Sequence, residues 1–284
     1  MRWTPGKRSE NLEDQRGASG GRLALGGRGL GIGGILILLV LSVVFRRDFF
    51  SLLSGAGTSM PAADTAAPVA DAAEEPLVQF VSFVLDDAQA TWAQVLRPTG
   101  VTYRDAKLVL YRDAIESACG FAQSATGPFY CPGDEKVYID LGFYQELRDR
   151  LGAPGDFAEA YVLAHEIGHH VQHLLGTEDQ VRQAQRARRD LENVLSVRLE
   201  LQADCYAGIW ANATEQRSVL EQGDIEEGLQ AAASVGDDRL QRMGGGTVNP
   251  DTFTHGSSAE RVAWFRKGLT GGRLAECDTF SGAR

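Results

Sequence analysis

The stretch AHEIGHHVQHLLG, residues 164–176, carries four of the chain's five histidines within nine positions. Tyr161, Leu163, Ala164, Ile167, Val171 and Leu174 recur around them at helical spacing and should sink this segment into a core. Polar side chains carried into a core are costly unless something pairs them. One pair fits H-E-x-x-H: His165, Glu166 and His169. Residues four apart on a helix stand one turn above each other, so both imidazoles can reach one metal ion. Glu166 then points beside that ion, where it can hold and deprotonate a water whose pKa zinc lowers to about 7. His170 lies about 100° around the helix from His169. It and His173 belong to no such pair and read as surface or supporting residues.

A catalytic zinc needs a third protein ligand and an open position. In SVRLELQADCYAGIW, residues 196–210, Glu200 and Asp204 are again four apart. Val197, Leu201, Ala203, Tyr206, Ala207 and Ile209 make the rest of that face apolar. Two carboxylates facing a core need a reason. Glu200 as third ligand supplies one, and Asp204 accepting the N–H of a ligating histidine supplies the other.

The rest of the chain bounds the setting. A net charge of −10 disfavours a sequence-independent grip on nucleic acid, so none is expected as a partner. Residues 30–45, LGIGGILILLVLSVVF, form an uncharged run that reaches bilayer length with its flanks. Six basic residues precede it and Arg46 and Arg47 follow, which predicts a single-pass anchor with the bulk of the chain outside the cytoplasmic membrane. The expected organisation is a cytoplasmic tail over 1–28, an anchor over 29–45, an Ala/Pro/acidic linker over 46–76 and one folded domain over 77–284. Cys119, Cys131, Cys205 and Cys277 all follow the anchor, where disulfides can form. Cys119 with Cys131 and Cys205 with Cys277 is the favoured pairing among three connectivities.

Helical periodicity runs from Leu77 until Pro98 and Gly100 stop it. Strand signals follow at 106–111 and around the Pro-Gly-Asp turn of 127–143. Helical patterns then cover 179–211 and 224–242, and a last helix begins at Ser257 with Glu260 in capping-box spacing. Few strands early and many helices later indicate an α+β fold.

HEIGH followed by ELQAD resembles the HExxH…ExxxD pattern of gluzincin-type metallopeptidases. More closely, RWTPGKRSENLEDQR, GPFYCPGDEKVYIDL, HEIGHHVQ, RLELQADCYAGIW and FTHGSSAERVAWFRKG together resemble the neutral zinc metallopeptidase family of bacterial membrane-anchored proteins. The resemblance implies a zincin-like domain with Zn²⁺ between two helices and a strand edge nearby for an extended peptide. It implies His165, His169 and Glu200 as ligands and Glu166 as base. His255, in FTHGSSAERVAWF, resembles the group that stabilises the oxyanion or orients substrate in related enzymes, or is a loop histidine holding the helix start. Arg261 reads as half of a structural ion pair. The expected activity is zinc-dependent endopeptidase action on a peptide or protein substrate. Its rivals are a metal-stabilised scaffold of the cell envelope without turnover, and a hydrolase of a non-peptide amide.

Overall fold

A computed structural model describes residues 1–17 and 72–281. The proposed anchor at 29–45, with residues 18–28 and 46–71 around it, lies outside the described residues. Among the described residues no helix is long and apolar enough to cross a membrane.

The fold is mostly helical with a small sheet. Strand β1 (Leu12–Asp14) is followed by helix α1 (Glu75–Val95) and strand β2 (Lys107–Tyr111). A hairpin of β3 (Ala114–Ser117) and β4 (Gly120–Gln123) leads into β5 (Phe129–Cys131) and β6 (Lys136–Asp140). Helices α2 (Gly142–Asp149), α3 (Asp156–Leu174), α4 (Thr177–Ala187) and α5 (Glu192–Gln216) come next. Helices α6 (Asp224–Ser234), α7 (Asp237–Met243) and α8 (Ser258–Gly271) complete the order. The main sheet runs β1-β2-β6-β5, with β1, β2 and β6 parallel and β5 antiparallel at one edge.

Alternation along β2 explains the layering. Leu108 and Leu110 join the main core with Val137 and Ile139 of β6. Val109 and Tyr111 point the other way, into a small cluster with Cys131 and Tyr138. Successive strand residues face opposite sides, so one strand serves both layers. Helix α3 is buried along most of its length and packs against α1, α5 and α6, with β5 and β6 beside it.

Several boundaries follow the expected chemistry. Helix α1 ends before Arg97–Thr99, where Gly100 takes φ 78°, and α3 ends before Gly176 at φ 73°. The capping box of Ser257 and Glu260 is formed in full. Both disulfides, Cys119–Cys131 and Cys205–Cys277, are present. Other boundaries differ. The 179–211 pattern is broken at Arg189–Leu191, and the 224–242 pattern at Gly236, where a Cβ would lie 2.3 Å from the Ser258 amide nitrogen. The expected linker ends early, because Ala72–Glu74 form a helical turn and α1 begins at Glu75.

The largest difference is at the N-terminus. Residues 1–17 belong to the same compact unit as the body of the chain. Strand β1 pairs with β2 in register, Leu12 opposite Leu108. Trp3 packs between Phe80 and Phe83 of α1, at ring-centroid separations of 5.4 and 6.3 Å. Arg16, almost fully buried, forms ion pairs of 2.7 Å with both Asp14 and Glu74. The sequence set 1–28 apart from the folded domain of 77–284 as a tail, whereas the β1–β2 ladder makes residues 1–17 part of that domain.

Two results are expected. With cysteines introduced by Lys7→Cys and Met243→Cys, both at exposed positions, a membrane-impermeant maleimide labels both from the same side; labelling from opposite sides contradicts the ladder. At the α5–α8 crossing, a Cβ on Gly268 would lie 1.9 Å from the Cys205 carbonyl oxygen. Gly268→Ala should therefore cost about 3 kcal/mol, measured as a lowered denaturant midpoint.

Candidate metal centre

Helices α3 and α5 cross where the sequence placed its two polar pairs. Gly168 sits at the crossing, where a Cβ would meet the Ala203 carbonyl oxygen at 3.0 Å and its Cα at 3.2 Å. Its lack of a side chain lets the helices approach closely enough for Glu200 to reach both histidines. His165 Nε2 is 3.2 Å from Glu200 Oε2, and His169 Nε2 is 3.4 Å from Glu200 Oε1. These three residues form a group with the mutual spacing a metal ion requires.

The partners on the far side of each ring fix its tautomer. His165 Nδ1 lies 2.9 Å from Asp204 Oδ1, and His169 Nδ1 lies 2.8 Å from Gln172 Oε1. A carboxylate or amide oxygen only accepts, so both Nδ1 atoms carry the proton in the neutral rings. Both Nε2 lone pairs then face the Glu200 carboxylate, and three acceptors converge with no donor between them. Such an arrangement calls for positive charge. Burial opposes an imidazolium at His165, yet the charge and hydrogen bond of Asp204 and the hydrogen bond of Glu200 push its pKa up to about 10. Burial likewise opposes charge at His169, and Glu200 outweighs it to raise that pKa too. Glu200, buried as well, is held well below the usual carboxylate range by His169 and His165. A divalent cation satisfies the same three atoms without added protons, so the residues present fit zinc.

Asp204 is fully buried and fully used. Its Oδ1 accepts from His165, from the Tyr161 hydroxyl and from Arg261 Nη2 at 2.8 Å, while Oδ2 accepts from Arg261 Nε at 2.8 Å. The guanidinium therefore neutralises the carboxylate in a two-pronged pair, the arrangement its planar geometry favours. Glu166 is buried but faces a cavity of about 540 Å³, which His165, His169, Glu200 and Arg261 also line. Burial raises its pKa, opposed by the two histidines, as suits a group that must take up and release a proton.

His255 lies on the wall of the same cavity, half exposed. Asp237 Oδ2 accepts the backbone N–H groups of Thr254 and His255, both at 2.7 Å, and of Gly256 at 3.1 Å, and Oδ1 lies 3.3 Å from His255 Nδ1. His170 is fully buried and takes no part in the centre. Its Nε2 donates to the Arg104 carbonyl at 2.6 Å, and its Nδ1 accepts from the Tyr130 hydroxyl at 2.9 Å. His173 pairs at 3.4 Å with Glu135. A second carboxylate group, Asp156, Asp224 and Glu227, surrounds the Met1 ammonium, which is 2.8 Å from Asp156 and 3.3 Å from Asp224.

Sequence reasoning reached His165, Glu166, His169, Glu200 and Asp204 but missed Tyr161 as a partner of Asp204, Gln172 behind His169 and Asp237 behind His255. Gln172 carried a usable signal, since it stands three residues after His169 and so on the same helical face.

Fold and site together define an α+β protein with a histidine–histidine–carboxylate centre under a cavity. The chain belongs to the family described as "Putative neutral zinc metallopeptidase", whose model matches residues 1–280. It is 46% identical over 287 residues, covering 99% of both chains, to the Escherichia coli K12 protein described as "Uncharacterized protein YpfJ". It is 44% identical over 200 residues, covering 66% of this chain and 67% of the other, to "Uncharacterized protein Rv2575" of Mycobacterium tuberculosis H37Rv. No solved structure matches.

Replacing Arg261 by Met should leave Asp204 buried without its counter-charge. The expected loss is about 3–5 kcal/mol of stability, read from chemical denaturation.

Proposed function

We propose that the protein is a zinc-dependent endopeptidase, with His165, His169 and Glu200 as ligands and Glu166 as the catalytic base. The observation that carries this reading is the convergence of one potential ligand atom from each of His165, His169 and Glu200 beneath a cavity that Glu166 also lines. The family description supports the metal and the reaction class. A zinc ion held by His165, His169 and Glu200 would supply a Lewis acid able to polarise the scissile carbonyl and acidify a water. Glu166 takes the proton from the attacking water and passes it to the leaving amine. His255, oriented by Asp237, stabilises the oxygen on which negative charge develops.

An extended substrate finds a place on β5. That strand ends the main sheet, and its Phe129 and Tyr130 line the cavity that Glu166 also lines, so a peptide added along it would border that cavity. An edge strand beside the centre is what the zincin-like reading expects, and it favours a peptide or protein over a small amide. Two disulfides favour an oxidising site of action outside the bacterial cytoplasmic membrane. The apolar run at 29–45 is the proposed membrane contact. A single-pass orientation of that run has to be compatible with the β1–β2 ladder that joins residues 1–17 to the folded domain.

Purified, zinc-loaded protein is expected to cleave members of a diverse peptide library, with cleavage abolished by a chelator and restored by zinc. Glu166→Gln should lower kcat by about 10²–10⁴-fold while zinc content is unchanged. His255→Ala should lower kcat by about 10²–10³-fold. Zinc-loaded protein that cuts no peptide would favour the scaffold reading, and full activity in Glu166→Gln would defeat the mechanism.

A further inference from the structure

Behind His169, on the side away from the cavity, two glutamine side chains connect the centre to the C-terminal segment. Gln172 is fully buried and Gln202 almost so. Gln202 Nε2 is 3.0 Å from the Cys277 carbonyl oxygen, and Gln202 Oε1 is 3.1 Å from Gln172 Nε2. Gln172 Nε2 also lies 2.7 Å from the Leu199 carbonyl oxygen, and Gln172 Oε1 lies 2.8 Å from His169 Nδ1. Cys277 is bonded to Cys205 on α5, which directly follows Asp204 on the helix that carries Glu200.

We propose that Gln172 and Gln202 form a one-way amide relay, anchored on the disulfide-pinned Cys277, that sets the tautomer of His169 and so positions it as a metal ligand. The direction of the relay follows from which atoms can donate. A backbone carbonyl only accepts, so the Cys277 oxygen requires the NH₂ of Gln202, which turns the Gln202 oxygen toward Gln172. That oxygen and the Leu199 carbonyl both require the NH₂ of Gln172. The Gln172 oxygen is thereby left facing His169, and it can be satisfied only by a proton on Nδ1. His169 Nε2 then keeps its lone pair on the side of Glu200. Turning either amide over would place two acceptors, or two donors, against each other in a dry environment, at a cost of about 1–3 kcal/mol for each group left unpaired.

The two ligand histidines are thus fixed by different means. Asp204 holds His165 through a carboxylate that Arg261 and Tyr161 share, and a charged partner tolerates small displacements. A neutral relay specifies His169 by donor direction, and loses that specificity when any link is removed. Gln172 and Gln202 touch neither the cavity nor the metal position, so they are positioning residues.

The inference rests on the metal reading of His165, His169 and Glu200, and the test separates the two. Zinc affinity of the full chain is measured by chelator competition for the wild type, Gln172→Met, Gln172→Glu and Gln202→Met, with melting of each metal-free protein as a check on folding. Gln172→Met should bind zinc about 10- to 100-fold more weakly, the usual effect of losing a partner behind a ligand. Gln172→Glu keeps an acceptor for Nδ1–H but turns a carboxylate oxygen onto the Leu199 carbonyl and Gln202 Oε1, so it should recover only part of that loss, whereas Gln202→Met should show a smaller loss than Gln172→Met. Unchanged affinity in whichever Met variant folds overturns the relay. A second measurement needs no variant: in zinc-loaded wild type, ¹⁵N-resolved imidazole spectra should show His169 protonated at Nδ1, and an Nδ1 without a proton overturns the relay. If the wild type binds no zinc at all, the metal reading itself fails.

Discussion

Two imidazole nitrogens and a carboxylate meet at one point that needs positive charge, a proton or a cation, and much of the surrounding structure serves to keep that so. Each neighbour takes up a hydrogen on the far side of a ring or holds a helix at the needed distance. Asp204 and Gln172 hold the protons on Nδ1. Arg261 and Tyr161 keep Asp204 ionised without leaving it unpaired in the core. An acceptor cluster of this kind is unfavourable by itself, and a bound cation turns its repulsion into binding energy.

Backbone spacing matters as much as charge. Gly168 lets α3 settle against Ala203, and Gly268 lets α8 settle against Cys205, so α5 is gripped from both sides. Glu200 sits on that gripped helix, and its reach to His165 and His169 depends on both contacts. The Cys205–Cys277 bond adds a covalent tie on the same helix, closing a loop across 72 positions. Precision of this order is what a metal site demands, since ligands must be held in place before the ion arrives.

The sequence revealed what local periodicity encodes. H-E-x-x-H and E-x-x-x-D each place two groups on one helix face, and the apolar residues around them announce a shared core, so five site residues could be named without coordinates. Ser257 and Glu260 announced a helix start, and the Pro-Gly-Asp turn announced β5 and β6. What lay hidden depends on contacts between distant segments. β1 is three residues long and makes sense only beside β2, almost a hundred positions later, so Met1–Gly17 read as a tail when they are part of the domain. Gly236 breaks a helical pattern because Ser258 occupies the space of its missing side chain. Tyr161 had been counted as core packing, and its hydroxyl's place on Asp204 could not be read from its spacing. His170, in the middle of the motif, turned inward to Tyr130 and Arg104 for the same kind of reason.

The central claim is that His165, His169 and Glu200 bind one zinc ion through two imidazoles and a carboxylate. X-ray absorption at the zinc edge of purified protein addresses it most directly. The account predicts one zinc per chain in a nitrogen and oxygen shell at about 2.0–2.2 Å, with the outer-shell scattering of two imidazoles. Sulfur in the first shell, a single imidazole, or no stoichiometric zinc would contradict it.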